Sequence, residues 1–214
     1  MPDERPSIDE LVVADAPQSW AAAGFALDGD ECRIGSTRVR LVGRGAGSGI
    51  LSWSLRNIAP VDPAAGIDGI ATRVSERPPG PPGDHPCGAL AVDHVVLMSP
   101  DGERTAAAFT AATGLEVRRV RDTDSYGAPM RQRFFRLGET LLELVSTEPP
   151  AAGPASFFGL ALTVADLDAL PERYGEHLGR IKDAVQPGRR IAGLRHRDFD
   201  LSVPMIFITP EPRS

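Results

Sequence analysis

The chain has 214 residues, 42% hydrophobic and 24% charged, the make-up of an ordinary globular protein with room for one sizeable core or two modest ones. A net charge of −6 argues against a nucleic-acid surface, which needs an excess of basic charge on one face. No stretch approaches the roughly 18 apolar residues of a membrane helix. The N-terminus has no basic segment followed by an apolar run. Cys32 and Cys87 make no disulfide framework, so a cytoplasmic protein with free thiols is the expectation.

Residues 8–14 predict a strand, and Asp15-Ala16-Pro17 predicts a helix start, with Pro17 suited to the first turn and Gly24 to the end. Residues 33–42 predict a hairpin about Gly35-Ser36, and residues 49–57 the first strand of a further, truncated unit. The proline-dominated residues 76–88 can form neither helix nor central strand. They predict a linker over 77–89, dividing an N-terminal unit (1–76) from a larger domain (90–214).

The larger domain begins with a β-branched strand at 92–98. A helix capped by Ser99 or Asp101 follows and ends at Gly114. Residues 115–121 predict a second strand, and 131–137 with 140–146 a hairpin around Gly138-Glu139. The pattern β-α-β-β-β then restarts with a strand at 157–164, a helix near Asp166, strands within 182–195 and a last strand at 203–209. The N-terminal unit carries a shorter copy. Ile8-Asp9-Glu10-Leu11-Val12-Val13 matches Val92-Asp93-His94-Val95-Val96-Leu97, and Arg33–Thr37 matches Arg136–Thr140. The predicted class is α+β, built from repeated βαβββ modules with one shortened module in front.

These landmarks, with Leu142-Glu143-Leu144-Val145 and the closing Val203-Pro204-Met205-Ile206-Phe207-Ile208, resemble those of the vicinal-oxygen-chelate (glyoxalase/bleomycin-resistance/dioxygenase) superfamily. Phe158-Gly159-Leu160-Ala161 resembles the start of its second module. The resemblance implies curled mixed sheets enclosing a cleft, formed within one chain or across a homodimer. In enzymatic members the cleft holds a divalent metal on residues from the first and last strands of each module. Here those positions give His94 and Glu143 as the metal or catalytic candidates. In the second module they give Gly159 or a neighbour and an apolar last strand, and in the N-terminal unit Glu10 and Arg40. Glu10 would complete the set only by docking onto the same cleft.

Ion pairing of Glu143 with Arg136 or His94 would account for the buried carboxylate without a metal. Gln132 and Phe134 share the Glu143 face and are candidate ligand contacts, as are Arg189 and Arg190 at a turn and Tyr126 in a loop. Arg40 opposite Glu31 reads as a cross-strand pair. His85, His177 and His196 read as surface residues, Trp20 and Trp53 as core. The expected function is a glyoxalase-like protein that binds a small organic molecule, with a degenerate metal site and no membrane or nucleic-acid partner. A divalent metal is not favoured, and the cofactor stays unknown. The alternative is a metal-dependent lyase, isomerase or dioxygenase working through His94 and Glu143. Metal-free general-base catalysis by either residue stays open.

Overall fold

The computed structural model describes residues 5–124 and 128–212; Tyr126, a predicted ligand contact, lies outside them. The N-terminal unit contains β1 (Ser7–Val13), α1 (Pro17–Ala22), β2 (Glu31–Ile34), β3 (Thr37–Leu41), β4 (Ile50–Arg56) and β5 (Thr72–Ser75). They form one five-stranded sheet in the order β2-β3-β1-β4-β5. Pro17 opens α1 as predicted, and Gly24 leaves it at φ 91°, a conformation costly for any residue with a Cβ.

No helix or strand occupies 76–88. Beyond it come β6 (Ala89–Ser99), α2 (Gly102–Thr113), β7 (Arg119–Thr123), β8 (Met130–Leu137) and β9 (Thr140–Thr147). The second module follows with β10 (Ser156–Val164), α3 (Leu170–Tyr174), β11 (Lys182–Asp183), β12 (Arg190–Leu194) and β13 (Met205–Ile208). All eight strands join in the order β11-β12-β13-β10-β6-β9-β8-β7. In each module the last strand runs parallel to the first, and the two first strands, β6 and β10, meet antiparallel at the centre. This is the expected α+β arrangement of repeated βαβββ modules. Asp101 caps α2 by accepting from Arg104 N, and Gly114 ends it in the left-handed region.

The five-stranded sheet is a reduced copy of the same plan. β3 is parallel to β1, β4 is antiparallel to β1, and β5 is parallel to β4. A first and a last strand are thus kept from a second module whose helix and middle strands are missing. The copy extends to irregularities. Asp9 is an extra residue in the β1–β4 pairing, as Asp93 is in β6–β10. Leu51 and Phe158 are the extra residues on the opposite strands. Each is a β-bulge, which turns a side chain away from strict alternation.

One buried cluster runs through both units. Trp53 of β4 packs edge-on against Phe109 of α2 and Phe157 of β10, at centroid distances of 5.7 and 5.3 Å. Trp20 and Trp53 are both fully buried, as predicted. His85 is a correction: it is buried, accepting from Ala26 N and bonding Arg33 O, because the proline-rich segment folds back over the β2–β3 hairpin. No described helix is long and apolar enough to cross a membrane.

Candidate functional site

The opposite face of the eight-stranded sheet lines a cleft of about 960 Å³. Strand pairing dictates what reaches it, because alternate residues share a face. One row crosses the floor from Arg119 through Phe134, Glu143 and Val96 to Gly159. The next runs from Arg136 through Leu141, His94, Ala161 and Ile206 to Gly193. His94, Glu143, Gln132 and Phe134 are therefore brought together, at the centre of the sheet.

Glu143 sits opposite Phe134 and accepts a short hydrogen bond from Gln132 Nε2, whose own Oε1 is buried without a partner among the described residues. His94 is paired not with Glu143 but with its neighbour, His94 Nδ1 lying 2.6 Å from Asp93 Oδ2. Consecutive strand residues ordinarily point to opposite faces; the bulge at Asp93 allows this contact. Asp93 also accepts from Arg189 at 2.5 and 3.2 Å and from Thr163 at 2.9 Å. Burial alone would raise its pKa, but bonds from His94 and Arg189 outweigh that and hold the carboxyl far below the usual range. An ionised carboxylate only accepts, so Nδ1 of His94 carries a proton, and in the neutral ring Nε2 is the acceptor.

Other predicted contacts fall elsewhere. Arg189 is buried behind His94, clamped by Asp93, Thr209 O and Gln186, and does not line the cleft. Arg190 forms an exposed pair with Asp168. A strand end that looked like an anion grip is thus a brace for Asp93 on one side and a solvated pair on the other. Glu10 belongs to the other sheet, 3.0 Å from Arg38 and 3.4 Å from Arg40, and cannot join His94 and Glu143. The expected Arg40–Glu31 pair is also redistributed: the two residues are in register, but Glu31 binds Arg38.

Sequence reasoning missed the cleft residues Arg118, Arg119 and Arg121, and the contact of Asp93 with His94. The alternation of Arg119 and Arg121 in a predicted strand was the available signal. His196, read as surface, lines the cleft, and burial lowers its pKa.

The described side chains do not supply the three or four His, Cys, Asp or Glu ligands of a zinc-type site. No three His, Cys, Asp or Glu groups cluster suitably among the described residues. In the second module a Cβ at Gly159 would lie 2.6 Å from Pro204 O, so no ligand side chain fits there. The facing residues of β13 are Ile206 and Ile208.

The model of the Glyoxalase/Bleomycin resistance protein/Dioxygenase superfamily matches residues 91–197, half of the chain. The chain belongs to that superfamily. No curated protein matches it. Among solved structures it is similar to methylmalonyl-CoA epimerase from Mycobacterium tuberculosis, with 18% identity and a TM-score of 0.48 over 58% of this chain and 91% of that one. A Streptomyces coelicolor methylmalonyl-CoA epimerase variant in complex with 2-nitronate-propionyl-CoA gives 19% and 0.46 over 56% and 97%. A hypothetical protein from Bacillus halodurans gives 17% and 0.44 over 57% and 96%.

Proposed function

We propose that this superfamily member binds a small organic molecule in the cleft of its eight-stranded sheet and does so without a metal ion. The observation that carries the reading is a wide cleft whose floor mixes apolar side chains with polar ones, His94, Gln132 and Glu143 converging at its centre. That composition is the usual one of ligand sites, where apolar contact gives affinity and a few polar groups give orientation. The N-terminal unit, on this reading, is a shortened module that supports the sheet from its other face.

The test uses a position that the fold leaves open. A Cβ at Gly193 would meet nothing within 4 Å, and Gly193 lines the cleft, so Gly193→Phe fills it from a strand that tolerates an aromatic residue. A library of small organic molecules, screened by thermal shift after chelator treatment, should give ligands that stabilise the parent and not the variant. Equal shifts in both proteins would reject the cleft, and ligands that shift the untreated parent but not the chelator-treated one would reject metal independence.

The Asp93–His94 pair favours a second reading, in which His94 Nε2 takes a proton from a bound ligand. Asp93 would orient the ring and stabilise its charged form. A ligand from the screen, incubated in D2O, should then exchange an acidic C–H proton with the parent. His94→Gln should bind it without exchange. Exchange that survives this substitution would exclude His94 as the acceptor.

A further inference from the structure

The charges lining the cleft are unevenly placed. Arg118, Arg119, Arg121 and Arg136 stand at the β7–β8 end, and among the described residues none has a carboxylate within ion-pair distance. The buried arginines elsewhere among the described residues, Arg38, Arg56, Arg133 and Arg189, each contact an acid. Arg121 Nε is buried without a hydrogen-bond partner among the described residues. Buried donors are almost always partnered in native proteins, so an unpaired one aimed at a cleft marks a place for an external acceptor. At the opposite end β12 and β13 present the side chains of Ile191, Ile206 and Ile208, with Gln186, His196 and Glu211 at the rim and no arginine.

We infer that the occupant is an amphipathic organic anion. Its oxyanion group, a carboxylate or a phosphate, is held by Arg119, Arg121 and Arg136. Its apolar body runs across the floor toward Ile206 and Ile191, passing His94 and Glu143. This rests on the reading of the cleft as a ligand site and adds the ligand's charge and orientation. The chemistry is specific: guanidinium groups grip planar or tetrahedral oxyanions through paired N–H donors, and isoleucine side chains reward only an apolar partner. A chain of net charge −6 that gathers arginines without acids at one end of a cleft departs from its own average there.

The experiment compares two dyes of similar size, the anionic 1-anilinonaphthalene-8-sulfonate and the neutral Nile red, by fluorescence titration. The proteins are the parent, Gly193→Phe, and an Arg119→Gln/Arg121→Gln variant whose fold is checked by circular dichroism and melting. Gly193→Phe should weaken both dyes. The arginine variant should weaken the anionic dye about tenfold, the size of effect of charged hydrogen bonds, and leave Nile red within about twofold. Salt should weaken the anionic dye alone, and Arg119→Lys/Arg121→Lys should recover part of its affinity. Decanoate or decyl phosphate, whichever carries the fitting head, should displace it where decanol does not. If neither dye responds to Gly193→Phe, the cleft itself is not a ligand site. If both respond but the arginine variant leaves the anionic dye unchanged or weakens both equally, or decanol competes as well as the anions, the anion assignment is overturned while the cleft stands.

Discussion

The two sheets of this protein answer the same structural problem in opposite ways. Each has a first strand with a bulge at an aspartate, Asp9 in β1 and Asp93 in β6, and a last strand parallel to it. In the larger sheet the residues beside the bulge are His94 and, in register on β9, Leu141, with Glu143 two places on. In the smaller sheet the matching residues are Glu10, Arg38 and Arg40. Arg38 fills its face, contacting Asp9, Glu10 and Glu31 at 3.0–3.1 Å, while Arg56 reaches Asp9 from the other side. The small sheet therefore closes on its own ion pairs. Leucine at the equivalent position of the large sheet makes no such pairs, and the face stays open as a cleft. One bulged module forms either a plug or an open cleft, according to whether its last strand brings arginine or leucine beside the first.

The sharpest way to break this comparison is to remove the plug's centre. Asp9→Ala leaves Arg38 and Arg56 buried without their shared acid, and breaking such a pair costs about 3–5 kcal/mol. Asp93→Ala strands one buried arginine, Arg189, which keeps Thr209 O and Gln186 as acceptors, and removes the bonds from His94 and Thr163, so a loss of about 2–3 kcal/mol is expected. Urea unfolding of both variants measures the difference. An Asp93→Ala loss as large as that of Asp9→Ala would mean that the large sheet depends on its buried charge as the small one does.

The pH dependence sharpens the same point. Both aspartates are held below the ordinary carboxylate range by hydrogen bonds that outweigh burial. A depressed folded pKa gives stability that is fully present above the unfolded value, near 3.9, and lost as pH falls through the folded one. The deficit of Asp93→Asn against the parent should therefore be constant from pH 7 to about 5 and shrink as pH drops below about 4. A deficit unchanged at pH 3 would show that the Asp93 charge contributes nothing.

Much of this was legible in the chain. The βαβββ order followed from turn glycines, caps and β-branched runs, because those residues act through local backbone geometry. The alignment of Ile8–Val13 with Val92–Leu97 predicted that Glu10 and Arg40 occupy the places of His94 and Glu143, and the strand register places them so. Hidden from the sequence were the bulges, which depend on the partner strand. Without the bulge Asp93 belongs on the far face from His94, so the pair could not be read. Arg189 and Arg190 were indistinguishable as letters, and only the sheet decides that one meets Asp93 and the other solvent. His85 was misread because its buried place comes from a segment without regular structure.

A smaller effect tests the second module. Gly159 faces Val96 across the central pairing, as Ser52 faces Val12 in the small sheet. Ser52 carries its side chain without difficulty, but a Cβ at Gly159 would press on the Pro204 backbone. Gly159→Ala should cost about 1–3 kcal/mol through overpacking and backbone shift, read by thermal or urea unfolding. A neutral result would mean that Pro204 gives way and that a ligand side chain fits at that position.

The smallest expected effect separates a network from a set of pairs. Arg40 is a third exposed and meets only the Oε1 side of Glu10, which keeps Arg38 on its other oxygen. Removing it should cost about 0.2–1 kcal/mol, as for other solvent-screened ion pairs. Combined with Asp9→Ala in a double-mutant cycle, Arg40→Ala should then add its small cost almost independently. A coupling above about 1 kcal/mol would instead mean that Glu10, Arg38 and Arg40 act as one unit with Asp9. In that case the small sheet could not have been opened by changing its last strand one residue at a time, and the arginine-for-leucine difference would describe the outcome without explaining how one face became the other.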